Sequence, residues 1–497
     1  MEAGYASVST PCLPTSIMED SAARAYSLPV EKTQFDRATK IKPLSLLRPH
    51  MRIFHLTWLS AITGFCGWYA LPPLMPVIKD TLHLTDSQVL NSDIMSTAST
   101  ILTRVLAGPL LDAYGPQLVQ SYVLGLGAIP VFCAAFVSSA TTLVIVRFFI
   151  GLVGCVFVSS QYWTTITFAK NVVATSNAIT GGLGLAGIGF AFLLLPYVHD
   201  LVVSGGASVD MAWRITVALP AVLMVAMGLV IRYCVDSCPM GEFERMKQAK
   251  NEASTVDAIT AFGVVLHQRN TYILVLNYAL CFGAELQLNN MGALYFYEEF
   301  MKPGCHNKSD ASCHRLTKTQ AATIASSFGL MNLFARAIGG IVSDVANRRH
   351  GMCGRKWIQF VYLCVEGALV LALSQVRSLG GCIALYVLTA MAAQGSGGST
   401  FGIVPYVNEL HTGSVTGLVG AGGNVGGVVF GLIFKSVISR HEGFLVMGIV
   451  ILVCALSTWL LHFEQEQHND IQHPFQDISD STSTVPATPV SQLSAAK

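Results

Sequence analysis

Apolar residues fall in twelve long runs, each near the roughly 20 residues a helix needs to cross the hydrocarbon core of a bilayer. They cover 53–78, 91–111, 118–138, 141–165, 174–198 and 212–234, then 270–297, 319–341, 357–376, 381–403, 414–437 and 442–462. The breaks are short except for a polar stretch, 235–268, that carries Arg245, Lys247 and Lys250. This pattern predicts an all-α membrane protein of twelve transmembrane helices, six in each of two bundles at 53–234 and 269–463. Residues 235–268 form a central loop. The polar segment 1–52 and the Ser-, Thr-, Pro- and Gln-rich segment 464–497 are expected to be largely disordered.

Composition agrees. Of 497 residues, 52% are hydrophobic and only 12% charged, against about 25% charged in soluble domains. Lipid bilayer is therefore the expected surroundings. A net charge of +1 without a basic cluster argues against a nucleic-acid partner. Positive residues collect on one side. Lys32, Arg37, Lys40, Lys42 and Arg48, the central loop, and Arg348, Arg349, Arg355 and Lys356 share a side if both termini are cytoplasmic, as the positive-inside rule favours. Lys79, Arg377, Arg440 and the longer loop 298–318 then face outward. In that loop Cys305 and Cys313 are candidates for a disulfide, and Asn307-Lys308-Ser309 is an N-glycosylation sequon. No apolar run with a small-residue cleavage site precedes residue 53. The cysteines are scattered, and Cys234 with Cys238 supplies too few ligands for zinc. No metal, cofactor or enzymatic chemistry is expected.

An internal repeat changes the picture. The second run contains Arg104-Val-Leu-Ala-Gly108-Pro-Leu-Leu-Asp112, and the eighth contains Arg336-Ala-Ile-Gly-Gly340-Ile-Val-Ser-Asp344. Matched motifs on the second helix of each half mark two pseudo-symmetric bundles, an arrangement that places substrate between the halves. If Asp112 and Asp344 sit at the cytoplasmic interface, each arginine lies about 12 Å deeper, near the midplane. That depth is too great for snorkelling. Neither run carries an acid beside its arginine, so the missing countercharge is expected to be the substrate. A planar guanidinium fork suits a small, flat oxyanion such as nitrate or nitrite.

Glycines cluster at Gly181-Gly182-Leu-Gly184-Leu185-Ala-Gly187-Ile-Gly189 and at Gly420-Ala-Gly422-Gly423-Asn424-Val-Gly426-Gly427. Most let helices approach closely. Asn424 is different, because a buried amide must find a partner. Arg104, Arg336, Asn424, Gly184 and Gly423 are the candidate substrate-binding residues.

With these residues in view, the chain resembles the major facilitator superfamily and, within it, the nitrate/nitrite porters, particularly eukaryotic high-affinity nitrate transporters. The resemblance is carried by Gly108 with Asp112-Ala-Tyr-Gly115, by Phe401-Gly-Ile-Val-Pro405 through Gly427, by Gly351-Met-Cys-Gly354-Arg-Lys-Trp357, by Ala212-Trp-Arg214, by Gln161-Tyr-Trp163 and by Glu285–Phe300. It spans about 53–462. It implies the major facilitator fold, nitrate between Arg104 and Arg336, a substrate contact from Asn424, and a conformational-gating role for Gly108, Asp112, Gly115, Gly340 and Asp344. One departure stands out: Leu185 occupies a position where the family usually has asparagine.

Uptake of an anion into a negative-inside cell costs about 2.3 kcal/mol per 100 mV, so a coupling ion is expected, and protons are the simplest. Glu285 and Arg147 are the proton-coupling candidates, with Glu366 behind them. For Glu285 an internal salt bridge is the rival reading, and for Arg147 snorkelling is. Trp68, Tyr69 and Trp163 are weaker candidates for walls of the site. The expected function is proton-coupled import of nitrate, and of nitrite, across the plasma membrane. A nitrate/nitrite exchanger, a nitrite-preferring carrier, a nitrate sensor, an internal membrane such as the vacuole, and an accessory membrane subunit stay open.

Overall fold

A computed structural model describes residues 26–169, 172–253, 263–304, 311–408 and 412–463. Among these, eleven helical stretches are long and apolar enough to cross a membrane. The first seven are α1 (His50–Thr81), α2 (Asp86–Tyr114), α3 (Pro116–Phe136), α4 (Ala140–Thr167), α5 (Thr175–Ser204), α6 (Val209–Cys234) and α7 (Arg269–Glu299). The eighth stretch, Lys318–Gln375, is 58 residues long. It breaks at Gly351, whose φ of 58° and ψ of −153° are open to glycine and strained for other residues. The break separates α8 (318–350) from α9 (352–375). Then come α10 (Leu379–Tyr406), α11 (Gly413–Ser436) and α12 (Arg440–Leu460). The twelve separate runs expected from sequence thus become eleven stretches. The polar link between the eighth and ninth runs stays helical up to Gly351, because Arg348, Arg349 and His350 lie exposed and need no burial.

Four helices begin with a reciprocal capping box, Thr85 with Gln88, Ser139 with Thr142, Thr317 with Gln320 and Ser439 with Glu442. They open α2, α4, α8 and α12. Each box satisfies backbone N–H groups that the first turn leaves open.

The described part of the amino-terminal segment is folded. From Tyr26 onward it forms a strap: Val30–Glu31 (β1) and Arg37–Ala38 (β2) pair antiparallel. Ala38 accepts from Ala169 N at 2.9 Å, and the His50 ring meets Asp36 O at 2.7 Å. Leu28 and Ala38 bury themselves against Met51, Phe54 and Phe168. A two-residue strand pair has no stability alone; this apolar contact with α1 and the end of α4 is what holds it.

The halves close on each other at both ends. At the strap end, the Thr175 hydroxyl of α5 donates to Asp344 of α8 at 3.1 Å, and Asp344 also pairs with Arg355 at 2.7 Å. A methyl placed on Gly108 would lie 3.8 Å from Gly413 O, so α2 and α11 run close here. Asp112 accepts from the Tyr162 hydroxyl at 2.9 Å. Gly115 turns the chain with φ +79°, and Phe243 of the connecting helix Phe243–Ala253 seats on it. At the far end, Lys79 pairs with Glu298 at 2.5 Å, Glu298 with Arg440 at 2.6 Å, and Lys318 with Asp80. The backbones of α5 and α8 touch where Gly189 meets Gly329. Gly329→Val is therefore expected to hold the far end apart. Cysteine-accessibility labelling should show increased exposure there, and unchanged labelling would contradict this reading of the contact.

In the loop after α7, Lys302 N donates to Cys313 O at 2.8 Å, and Cys313 is disulfide-bonded. Cys305 and Asn307 lie outside the described residues.

Candidate anion-binding site

Arg104 is fully buried and Arg336 is 2% exposed. Each guanidinium sits over the same two rings. Arg104 Cζ is 5.1 Å from the centroid of Phe157 and 5.0 Å from that of Phe282; Arg336 Cζ is 5.9 Å from both. The matched helices therefore bring the two arginines to one aromatic pair, Phe157 from α4 and Phe282 from α7. Tyr278 stacks on Phe282 at 5.0 Å, and Phe401 stands edge-on to Tyr278 at 5.0 Å. These rings supply a dry wall and favourable cation–π contact.

The arginines are held differently. Arg104 donates from Nε to Gly154 O at 3.1 Å and from Nη1 to Gly420 O at 2.8 Å. Gly154 lies in a 3₁₀ turn, Leu152–Cys155, that interrupts α4. The second bond crosses from one half to the other. Asn424 Nδ2 also donates to Gly420 O, at 3.2 Å, so one carbonyl joins Asn424 to Arg104. Arg336 donates from Nε to Asn332 at 3.3 Å and pairs through Nη2 with Glu285 at 2.9 Å. Asn332 donates to the other Glu285 oxygen at 2.7 Å, closing a triad.

That pair corrects the expectation that both arginines lack a countercharge. The acid comes from α7, not from the arginine's own helix. Arg336 is neutralised by Glu285, whereas Arg104 is held only by backbone carbonyls among the described residues. Each arginine keeps one buried N–H-bearing nitrogen without a partner, Nη2 of Arg104 and Nη1 of Arg336. Asn424 Oδ1 also lacks a hydrogen-bond partner. Buried donors left open are costly, and an oxyanion between the forks would satisfy both arginines at once. Arg336, Phe157, Gln161, Gly181, Gly397 and Phe401 line a narrow crevice with no room for a water molecule in this closed form.

The glycines divide. A Cβ on Gly423 would lie 2.6 Å from Phe282 and 2.8 Å from Tyr278, so Gly423 borders the aromatic wall. Gly184 faces Ala61 of α1, away from the arginines. Its neighbours are the ones that reach the site: Gly181 lies beside Arg336 Cδ and Gln161 Nε2, and Gly182 against Asn332 O. Gly397 and Gly398 make room for the Arg336 guanidinium and backbone, and Gly340 packs against Gly398. Leu185 is fully buried in the apolar cluster that also holds Phe157 and Phe282.

Arg147 does not snorkel. It is 2% exposed and forms an ion pair with buried Asp93 of α2. Nothing local in the sequence marks Asp93 as the partner, although a buried arginine calls for an acid. Asp93→Asn would leave Arg147 charged and unmatched, a cost of about 3–5 kcal/mol. The expected outcome is a marked loss of thermal stability in detergent; an unchanged melting temperature would count against the pair. Trp68 is turned to Ser96, donating at 3.0 Å, and Trp163 packs in a separate cluster with Ile53 and Leu111. The aromatic wall is made instead by Phe157, Tyr278, Phe282 and Phe401, which apolar runs conceal among many phenylalanines.

Residues 57–401 match the Major Facilitator Superfamily. Two solved structures share the fold. One is the nucleoside transporter NupG, with a TM-score of 0.56 and 16% identity over 82% of this chain and 99% of that one. The other is a bacterial homolog of the human lysosomal transporter Spinster, with a TM-score of 0.58 and 13% identity over 83% of this chain and 97% of that one. The chain thus belongs to the major facilitator superfamily of transporters, and within it to the family of high-affinity nitrate transporters. High affinity nitrate transporter 2.5 of Arabidopsis thaliana is 34% identical over 90% of this chain and 86% of its own length. Nitrate transporter 2.1 of Chlamydomonas reinhardtii is 32% identical over 84% and 75%. The nitrate/nitrite transporter NrtP of Nostoc punctiforme is 27% identical over 84% and 93%. The protein is a multi-pass membrane transporter, not an enzyme.

Proposed function

We propose that this protein imports nitrate, and also nitrite, across the plasma membrane by alternating access, with the anion held between Arg104 and Arg336. The observation that carries this reading is the pair of buried guanidiniums over one pair of rings, each with an unpartnered nitrogen. The named activities of the relatives support the choice of anion. In the membrane, α8 and α9 each cross, giving twelve spans with both termini, the strap and the connecting helix in the cytoplasm. Lys79, Glu298, Arg440 and the Cys313 loop then form the outer closure, and Cys305 is the expected disulfide partner of Cys313. Gly108, Asp112, Gly115, Gly340 and Asp344 form the inner one.

Proton coupling follows from the Glu285–Arg336 pair. While Glu285 is ionised it occupies one edge of the Arg336 fork and cancels its charge. Protonation releases that edge, so the anion then meets two free forks. Proton and nitrate thus favour each other's binding, which is the linkage a symporter needs.

Labelled-nitrate uptake into proteoliposomes under an inward proton gradient tests the reading. Accumulation above equilibrium is expected and should collapse when the gradient is dissipated. Tracer exchange without any net uphill accumulation would instead identify an exchanger.

A further inference from the structure

Between the β1–β2 hairpin and α1 the strap carries an apolar and basic stretch, Lys40-Ile-Lys42-Pro-Leu44-Ser-Leu46-Leu47-Arg48. Leu44 is fully exposed, and Leu46 and Leu47 are 67% and 61% exposed. Leucines left bare side by side mark a surface that something outside the fold covers. The stretch has a defined shape. Ser45 N donates to Lys42 O at 2.9 Å, a turn that carries Leu44. Arg52 N donates to Leu47 O at 3.3 Å, which ties the stretch to the first turn of α1. The backbone of Pro43 and Ser45 lies beside the His55 ring. His55 is five residues into α1, about 7.5 Å along its axis, so the stretch folds back along the helix. Arg48 fixes its level. The guanidinium donates to the carbonyl of Cys234, the last residue of α6, at 3.4 Å, and lies 3.8 Å from Asp236. Approaching that end, α6 exposes Leu229 and Tyr233, at 55% and 77%. An exposed apolar stripe closed by tyrosine and Arg232 is what a spanning helix shows to lipid as it leaves the bilayer. The leucines therefore stand where α1 and α6 pass from hydrocarbon to headgroups. Lys40 and Lys42, both exposed, stand just before them in the chain.

We propose that residues 40–48 are a docking site for anionic phospholipid. Leu44, Leu46 and Leu47 enter the edge of the acyl region, and Lys40 and Lys42 hold negatively charged headgroups. Arg48 positions the stretch through α6. Apolar insertion alone accepts any phospholipid, and the flanking cations select the anionic ones. Each basic side chain near an anionic surface strengthens attachment about fivefold. Lipid is favoured over a protein partner because the leucines continue the exposed apolar surface of α6, which lies in the membrane. The proposed topology puts this face in the cytoplasm, the side on which anionic lipids concentrate. The strap is then held at both ends. Leu28 and Ala38 are buried against Phe54 and Phe168 at one end, and lipid covers the leucines at the other. This docking does not depend on which anion the protein carries.

Photo-crosslinking identifies the occupant. The full chain, with p-benzoylphenylalanine in place of the wholly exposed Leu44, is reconstituted in vesicles of phosphatidylcholine and phosphatidylserine in equal parts. Both lipids occupy both leaflets, so the result is independent of topology. After irradiation the adducts are identified by mass spectrometry. Phospholipid adducts are expected, with phosphatidylserine exceeding phosphatidylcholine at least about fivefold. Adding Lys40→Glu and Lys42→Glu should return that ratio to one while lipid adducts persist, because the leucines remain. High salt should lower the ratio in the chain that keeps both lysines. Adducts only to segments of this chain or to a second copy of it, or no adducts, overturn the docking. Equal capture of the two lipids before charge reversal, or a preference that survives reversal, overturns the selection of anionic lipid and with it the proposal. If the charge-reversed variant fails to fold, the starting ratio and its salt dependence decide. Equal capture, or a preference that salt does not move, then counts against the proposal.

Discussion

Replacing Arg104 with lysine is expected to reduce nitrate uptake by about 10- to 100-fold, although the positive charge is kept. Arg104 acts in three directions at once. Nε reaches Gly154 O on α4, Nη1 reaches Gly420 O on α11, and Nη2 is left without a partner for the proposed anion to take. A lysine ammonium has three rotating donors but no planar fork, so it cannot hold both carbonyls and still present a flat edge. The loss of a charge-assisted contact is typically about 1.5–3 kcal/mol, which sets the expected range. The Gly420 bond also crosses between halves, so the substitution should weaken closure as well as binding. A rise in KM with a parallel fall in kcat is the expected signature. Uptake kinetics in a host without its own nitrate carrier provide the measurement, and near-wild-type kinetics would refute the role given to the fork.

Glu285→Gln should split two activities that the wild type performs together. Glutamine retains the shape and can still accept from Asn332, but it cannot cancel the Arg336 charge or carry a proton. Tracer exchange of nitrate is expected to continue, with tighter binding because both forks stay open. Uphill uptake driven by a proton gradient should disappear. Stability enters as well, since removing one member of a buried pair leaves the other uncompensated at a cost of about 3–5 kcal/mol. Bound nitrate would restore part of this, so the variant should be stabilised by nitrate more than the wild type is. A variant that still concentrates nitrate against its gradient would show that Glu285 has no part in coupling.

The amphipathic detail that sequence carries best is periodic and local, and here that covered the arginine repeat. Arg104 and Arg336 share a spacing to glycine and aspartate that identifies equivalent helices in the two halves, and the fold brings both to Phe157 and Phe282. Asn424 was likewise visible as a polar residue among glycines, and it shares Gly420 O with Arg104. What stayed hidden was contact between distant helices. Glu285 and Arg336 are 51 positions apart, and no periodicity reports that α7 turns its acid toward α8. Asp93 and Arg147 pair across α2 and α4 for the same reason. Sequence alone cannot tell Gly184 from the other glycines of its run. Helical phase separates them: Gly181 and Gly182 face Arg336 and Asn332, while Gly184 faces α1. The strap is not legible in the sequence because Val30–Ala38 is short and polar, and its order comes from Phe54 and Phe168 outside it.

Two arginines that looked alike in sequence are therefore unequal in the fold. Arg104 reaches across the halves to Gly420 O with one nitrogen left open, and Arg336 is paired with a buried acid. In the proposed mechanism that asymmetry is what lets one site both recognise nitrate and sense a proton.

The central claim is that the anion lies between these two side chains. Solid-state NMR recoupling between 15N-nitrate and 13Cζ-labelled arginine in the membrane-reconstituted protein measures this directly. Two guanidinium carbons should each lie about 4 Å from the nitrate nitrogen, as paired N–H···O bonds require. One coupling should vanish in Arg104→Lys and the other in Arg336→Lys. A bound nitrate coupled to neither arginine, or couplings that survive both substitutions, would contradict the account.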